Sequence, residues 1–250
     1  MGQVEIGTFE GEGRFPAYLV EPEGEPRGAI IVIQEIFGIN PGIRRKVDHW
    51  AKLGYLAAAP DLFWRFAQGV ELDPDVPEEF QRALQLMGQL DQDLAIKDIE
   101  ATIRALRSRL PEGGKVGVVG YCLGGRLAYM SAARTDANAS VGYYGVGLEG
   151  LLGEQHAIAN PLLLHFAEED HFVSKDAQRT ITDGLSDNPH VTIHSYPEVD
   201  HGFAAEMGKR RSEAAAQLAD SRTEQFFARH IGEAAAVIPA KEETRPLSRG

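Results

Sequence analysis

The chain has 250 residues, 43% of them hydrophobic, enough to build one sizeable α/β domain around a large core. Its formal net charge of −12 argues against a nucleic-acid partner, which would need a basic face. The single cysteine excludes an intrachain disulfide and suits a reducing cytoplasm, and the polar opening and lack of any eighteen-residue apolar run predict neither a secretory signal nor a membrane span.

In chain order, Val4 to Glu10 and Arg14 to Val20 alternate apolar and polar residues about a Gly-containing turn, which predicts an antiparallel hairpin. Ala29 to Ile33 is continuously apolar, as in a strand covered on both faces. Pro41 opens a helix to Leu53, and Tyr55 to Ala59 is the next strand. Residues 62–77 are irregular and read as a loop or cap. Helices are expected over 78–90 and 91–110, the second with an apolar stripe of Ile96, Ile99, Ile103 and Leu106. Lys115 to Tyr121 is a strand, Leu123 to Ala133 a helix and Ala139 to Tyr144 a strand. Pro161 to Phe166, a helix over 176–185, His190 to Tyr196 and a long helix over 207–230 follow. This alternation predicts a doubly wound, mostly parallel sheet behind an N-terminal antiparallel hairpin. Residues 1–233 are expected to form one domain and 234–250 a tail on its surface.

One stretch, Lys115-Val-Gly-Val-Val-Gly-Tyr-Cys-Leu-Gly-Gly-Arg126, carries the strongest chemical signal. Gly120 and Gly124 flank Cys122 at minus and plus two. A nucleophile on a sharp strand-to-helix turn needs neighbours without side chains, so that strand and helix can approach. The alternative is an inert buried thiol. The turn places the Leu123 N–H at a helix N-terminus, where it can help hold an oxyanion.

A cysteine nucleophile needs a base, and the base an orienting acid. Glu35, Cys122, Asp170 and His201 all fall at the expected carboxyl ends of strands, where open α/β sheets place their sites. The order nucleophile, acid, histidine is that of hydrolases with this sheet. Glu168 and Glu169 rival Asp170 as the acid, and His171 rivals His201 as the base. His165, His190 and His194 lie on strands and read as structural. No metal-ligand spacing or phosphate-binding glycine loop is present.

Gln34-Glu-Ile-Phe-Gly38, Gly120-Tyr-Cys-Leu-Gly-Gly125, Ala167-Glu-Glu-Asp-His171 and His201-Gly-Phe203 together resemble the dienelactone hydrolases (carboxymethylenebutenolidases). These are α/β-hydrolases with a cysteine nucleophile, and the similarity runs from about residue 10 to residue 230. The resemblance implies Cys122 as nucleophile, His201 as base, Asp170 as its orienter and an oxyanion hole from the N–H groups of Ile36 and Leu123. It casts Glu35 as an extra carboxylate beside the thiol, against the alternative of a solvated loop carboxylate. Tyr144 fits either a pocket-lining or a core position. Phe37 and Phe203, within the matching motifs, are expected to contact substrate.

The family holds its lactone carboxylate with arginines, and here the sequence departs. Phe80 occupies one such position, with Arg82 two residues on, and Ala204-Ala-Glu206 stands at the other. Arg82, Arg126 and Arg210 are candidate replacements. The simpler expectation is a more apolar ester or lactone, cleaved without cofactor or metal by a cytoplasmic monomer or dimer. Two competing readings are a non-catalytic binding protein of the same fold and a thiol redox role, the latter lacking a resolving cysteine.

Overall fold

The computed structural model describes residues 2–9, 11 and 13–232. Eight strands form one sheet: β1 (Gly2–Gly7), β2 (Arg14–Val20), β3 (Ala29–Ile33), β4 (Leu56–Pro60), β5 (Val116–Tyr121), β6 (Ala139–Tyr143), β7 (Leu162–Ala167) and β8 (Val191–Tyr196). Their spatial order is β1-β2-β4-β3-β5-β6-β7-β8. The β1–β2 and β2–β4 pairs are antiparallel and all others are parallel. This is the α/β-hydrolase arrangement with the opening hairpin at one edge. Glu10, expected to end the first strand, and the tail over 234–250 lie outside the described residues.

Among the described residues six α-helices cover the sheet: α1 (Pro41–Lys52), α2 (Pro77–Gln89), α3 (Gln92–Arg107), α4 (Leu123–Arg134), α5 (Lys175–Leu185) and α6 (Glu213–His230). The uninterrupted apolar run of β3 follows from burial on both sides. Ile31 and Ile33 join a core with Ile99 of α3 and Leu127 of α4, while Ile30 and Val32 join a core with Val47 of α1 and Phe227 of α6. α1 begins where expected because Asn40 caps it, accepting the Ile43 N–H at 3.1 Å, and proline fits the first helical position.

Two departures from the sequence pattern bear on function. A 3-10 segment, Leu148–Ala157, occupies a stretch with no clear periodicity. The last helix starts at Glu213 rather than Met207. Gly208, at φ +85°, sits against Pro74, and the Lys209 N–H reaches the Asp75 carboxylate at 3.3 Å. These contacts hold 207–212 in a loop across the 74–75 turn, and that loop carries Arg210.

His165 has the structural role its strand position suggests. Its Nδ1 meets the Tyr196 hydroxyl at 2.8 Å and its Nε2 the Thr223 hydroxyl at 2.9 Å. Burial holds its pKa well below the usual histidine value. Phe227 packs edge-on against Trp50, with ring centroids 5.3 Å apart, and fills the space left by Gly117. Phe227→Ala should lower unfolding free energy by about 3–5 kcal/mol with little change in denaturant m-value, measured by urea titration.

Candidate active site

Strand β5 ends at Tyr121, and the chain then turns through Cys122 into α4. Cys122 has φ 56° and ψ −114°, a conformation that costs a non-glycine residue about 1–3 kcal/mol. Hydrogen bonds hold it there. Its N–H donates to the Tyr143 carbonyl at 3.0 Å, and its carbonyl accepts the Arg126 N–H at 3.1 Å. The glycines are required by distance. A Cβ on Gly120 would lie 1.9 Å from the Gly124 carbonyl oxygen, and one on Gly124 would lie 2.5 Å from that of Ile33. Cys122 is half-buried and opens onto a cavity of about 310 Å³.

His201 and Asp170 meet beside it. His201 Nδ1 lies 2.9 Å from Asp170 Oδ2, and both side chains are 1% exposed. The other carboxylate oxygen of Asp170 accepts the N–H groups of Phe172 and Val173 at 2.9 and 3.2 Å. The carboxylate is thereby fixed from both sides and orients the ring. Two rivals point elsewhere: Glu169, the alternative acid, pairs with Lys175 in solvent, and His171, the alternative base, pairs with Asp200 on the surface. Asp200 adds a positioning function. It accepts the N–H groups of both His171 and His201, tying the acid loop to the histidine loop.

The His201 pKa is raised to about 10. Burial alone would lower it, but the Cys122 charge and the Asp170 carboxylate raise it more. The protonated ring is therefore favoured while a thiolate stands beside it. His201 Nε2 is buried and has no hydrogen-bond partner among the described residues, and the ring and Cys122 line the same cavity.

Ile36 and Leu123 both line the cavity. The Leu123 N–H is in the first turn of α4, where helical amides have no intrahelical partner. The Ile36 N–H makes no hydrogen bond among the described residues. Both amides are free to receive an oxyanion.

Glu35 is buried, not a solvated loop carboxylate, and burial raises its pKa against the opposing charges of Arg210, His201 and Lys46. It lies behind the cavity wall, against a small void shared with Lys46 and Tyr121, and its Oε1 has no hydrogen-bond partner.

The expected substrate-contacting residues divide. Phe37 and Phe80 line the cavity, 5.8 Å apart between ring centroids. Arg82 does not: two residues beyond Phe80 on α2 it points about 200° around the helix and is solvent-exposed. Tyr144 and Phe203 also do not line the cavity. Both are fully buried, and Tyr144 stands edge-on to the His201 ring at 5.0 Å with Phe203 packed behind it. They support the imidazole from the core side.

Arg126 and Arg210 do reach the cavity. Arg126 is tethered to the Gln92 side chain at 2.8 Å and to the Gly147 carbonyl at 2.5 Å. Arg210 packs against Gly202 and Phe37, and its buried Nη2 has no partner. Leu84 and Met87 extend the Phe80 face of α2 along the cavity, a signal present in their i, i+4, i+7 spacing. Phe172, 44% exposed and edge-on to His201 at 4.8 Å, closes one side; no periodicity announces it. Among the described residues no group of three His, Cys, Asp or Glu side chains could hold a metal, and no helix is long and apolar enough to cross a membrane.

Comparison with known proteins identifies the family. Residues 15–231 match the model of the dienelactone hydrolase family. A carboxymethylenebutenolidase of Cupriavidus pinatubonensis is 39% identical over 90% of this chain and 95% of its own length, and one of Pseudomonas putida is 38% identical over the same shares. A provisionally named carboxymethylenebutenolidase of Azospirillum brasilense reaches 44% identity over 88% of this chain and 96% of its own. Among solved structures, a Klebsiella pneumoniae protein assigned as a dienelactone hydrolase superposes with a TM-score of 0.79 at 27% identity, covering 91% of this chain and 97% of that one. The chain belongs to the dienelactone hydrolase family, within the α/β-hydrolase superfamily.

Proposed function

We propose that this hydrolase cleaves a small ester or lactone through a Cys122–His201–Asp170 triad and a thioacyl intermediate. The observation that carries the reading is the buried 2.9 Å Asp170–His201 pair beside a thiol lifted on the β5–α4 turn. The Cys122 thiolate attacks the carbonyl carbon, and the N–H groups of Ile36 and Leu123 receive the oxyanion. As the tetrahedral adduct collapses, His201 gives its Nε2 proton to the leaving oxygen, and a thioester remains.

Acylation removes the negative charge from sulfur, and with it the largest influence raising the His201 pKa. Burial then drives the ring towards its neutral form. Neutral His201 takes a proton from water, the hydroxide attacks the thioester, and the thiolate leaves beside a reprotonated ring. None of these steps calls for a metal or cofactor. A thiol nucleophile of this kind suits a reducing cytoplasm.

Arg210 modifies the expectation of a neutral substrate. A buried guanidinium nitrogen without a partner is unfavourable until an anion meets it. We infer an apolar acyl or lactone body against Phe37, Phe80 and Leu84, with a carboxylate directed to Arg210. Pairing Arg210 with that carboxylate cancels a charge that lowers the Glu35 pKa, so substrate binding shifts Glu35 further towards its neutral form.

Cys122→Ala and His201→Ala should each lower kcat/KM for p-nitrophenyl acetate by about 10³-fold or more, with the double variant little worse than either. Intact mass spectrometry should show an acyl adduct on wild type that Cys122→Ala lacks; undiminished turnover in both variants would leave only a binding role. Arg210→Ala should raise KM for a carboxylate-bearing ester by roughly 10- to 150-fold, the equivalent of a charged hydrogen bond, with little change for p-nitrophenyl acetate.

A further inference from the structure

A second cleft, of about 430 Å³, lies between the edge strand β8 and helix α6. It shares no lining residue with the catalytic cavity. It sits where β7 and β8 begin, whereas Asp170 and His201 follow the ends of those strands, so a strand length of about 20 Å separates the two sites.

Both walls are patterned. His190, just before β8, and Thr192 and His194 on it line the cleft as alternate residues. α6 presents Arg222, Phe226, Arg229 and His230, which share one helical face by their i, i+4, i+7 and i+8 spacing. Among the described residues no aspartate or glutamate lines the cleft, although the whole chain carries a net charge of −12.

Arg222 is held in place, its Nη1 donating to the Tyr196 hydroxyl at 3.1 Å. Arg229 is exposed and has no hydrogen bond or ion pair among the described residues. His194 and His230 both titrate below the usual histidine value, first through burial and then through the neighbouring Arg222 and Arg229 respectively, with Lys115 adding to the effect on His230. The cleft thus holds the positive charges of Arg222 and Arg229, which no acid among its described lining residues offsets, with imidazoles and one phenyl ring beside them.

We propose that this cleft is a binding site for an organic phosphate with a flat apolar body. The phosphate would lie between Arg229 and the imidazoles, and the body against Phe226. Tetrahedral, multiply charged anions exploit several donors converging from two elements, which a single carboxylate does not.

The test uses the full chain with Cys122 blocked by iodoacetamide, so that the catalytic cavity cannot report. Phenyl phosphate is titrated at low salt by calorimetry and by NMR of the histidine side chains. The expected result is saturable 1:1 binding, with shifts at His190, His194 and His230 but not at His171 or His201. Arg229→Glu, a surface change, should weaken binding at least tenfold while unblocked protein keeps its p-nitrophenyl acetate activity. Inorganic phosphate and benzoate should each bind at least tenfold more weakly than phenyl phosphate. Absence of saturable binding, equal binding by Arg229→Glu, or equal binding of inorganic phosphate would overturn the proposal.

Discussion

The close approach of α4 to strands β3 and β6 is the constraint from which the site follows. Gly124 meets the carbonyl oxygens of Ile33 and Gln34, and Gly125 meets that of Tyr143, at distances no side chain could share. Only with this approach does the turn at Cys122 tighten enough to reach φ 56° and aim the sulfur away from the sheet. The same approach sets the first amide of α4 beside the loop after β3, where the Ile36 N–H stands free. The position of the Cys122 thiol and that of the two free amides are two consequences of one packing contact. The strain at Cys122 is offset by the backbone hydrogen bonds to Tyr143 and Arg126.

Electrostatics then divides the work between buried groups. Asp170 is held by three donors, so its negative charge is spent on orienting His201. The His201 pKa depends on whether sulfur carries charge, and the proposed cycle uses that dependence to let one ring act as acid in its first half and base in its second. Glu35 stands one layer back, where burial favours its neutral form and three surrounding cationic groups oppose it. Arg210 lines the cavity and acts on Glu35, so it links that group to whatever charge the cavity receives.

Much of this was legible in the residues. The glycine spacing around Cys122 announces a tight turn because backbone geometry leaves few alternatives. The Asp170 and His201 loops are legible because parallel sheets place loop chemistry at one edge. What escaped is what depends on tertiary contacts without period. The loop over 207–212 reads as helix, and only Gly208 packing against Pro74 bends it so that Arg210 enters the cavity. Arg82 looked a plausible substitute for a missing guanidinium by proximity in sequence, yet helical rotation carries it into solvent. Phe203, within a matching motif, and Tyr144, open to either a pocket or a core role, both pack behind the imidazole, since burial decides which side of the site a ring occupies.

The account depends most directly on the coupling between the sulfur and the imidazole. NMR titration of the His201 ring in wild type and in Cys122→Ala measures it. With the thiolate present, the ring should stay protonated to well above neutrality, its midpoint near 10. Without it, burial opposes Asp170 alone, and the protonated form should be lost at distinctly lower pH. An unchanged His201 midpoint in the two proteins would contradict the coupling and the division of labour built on it.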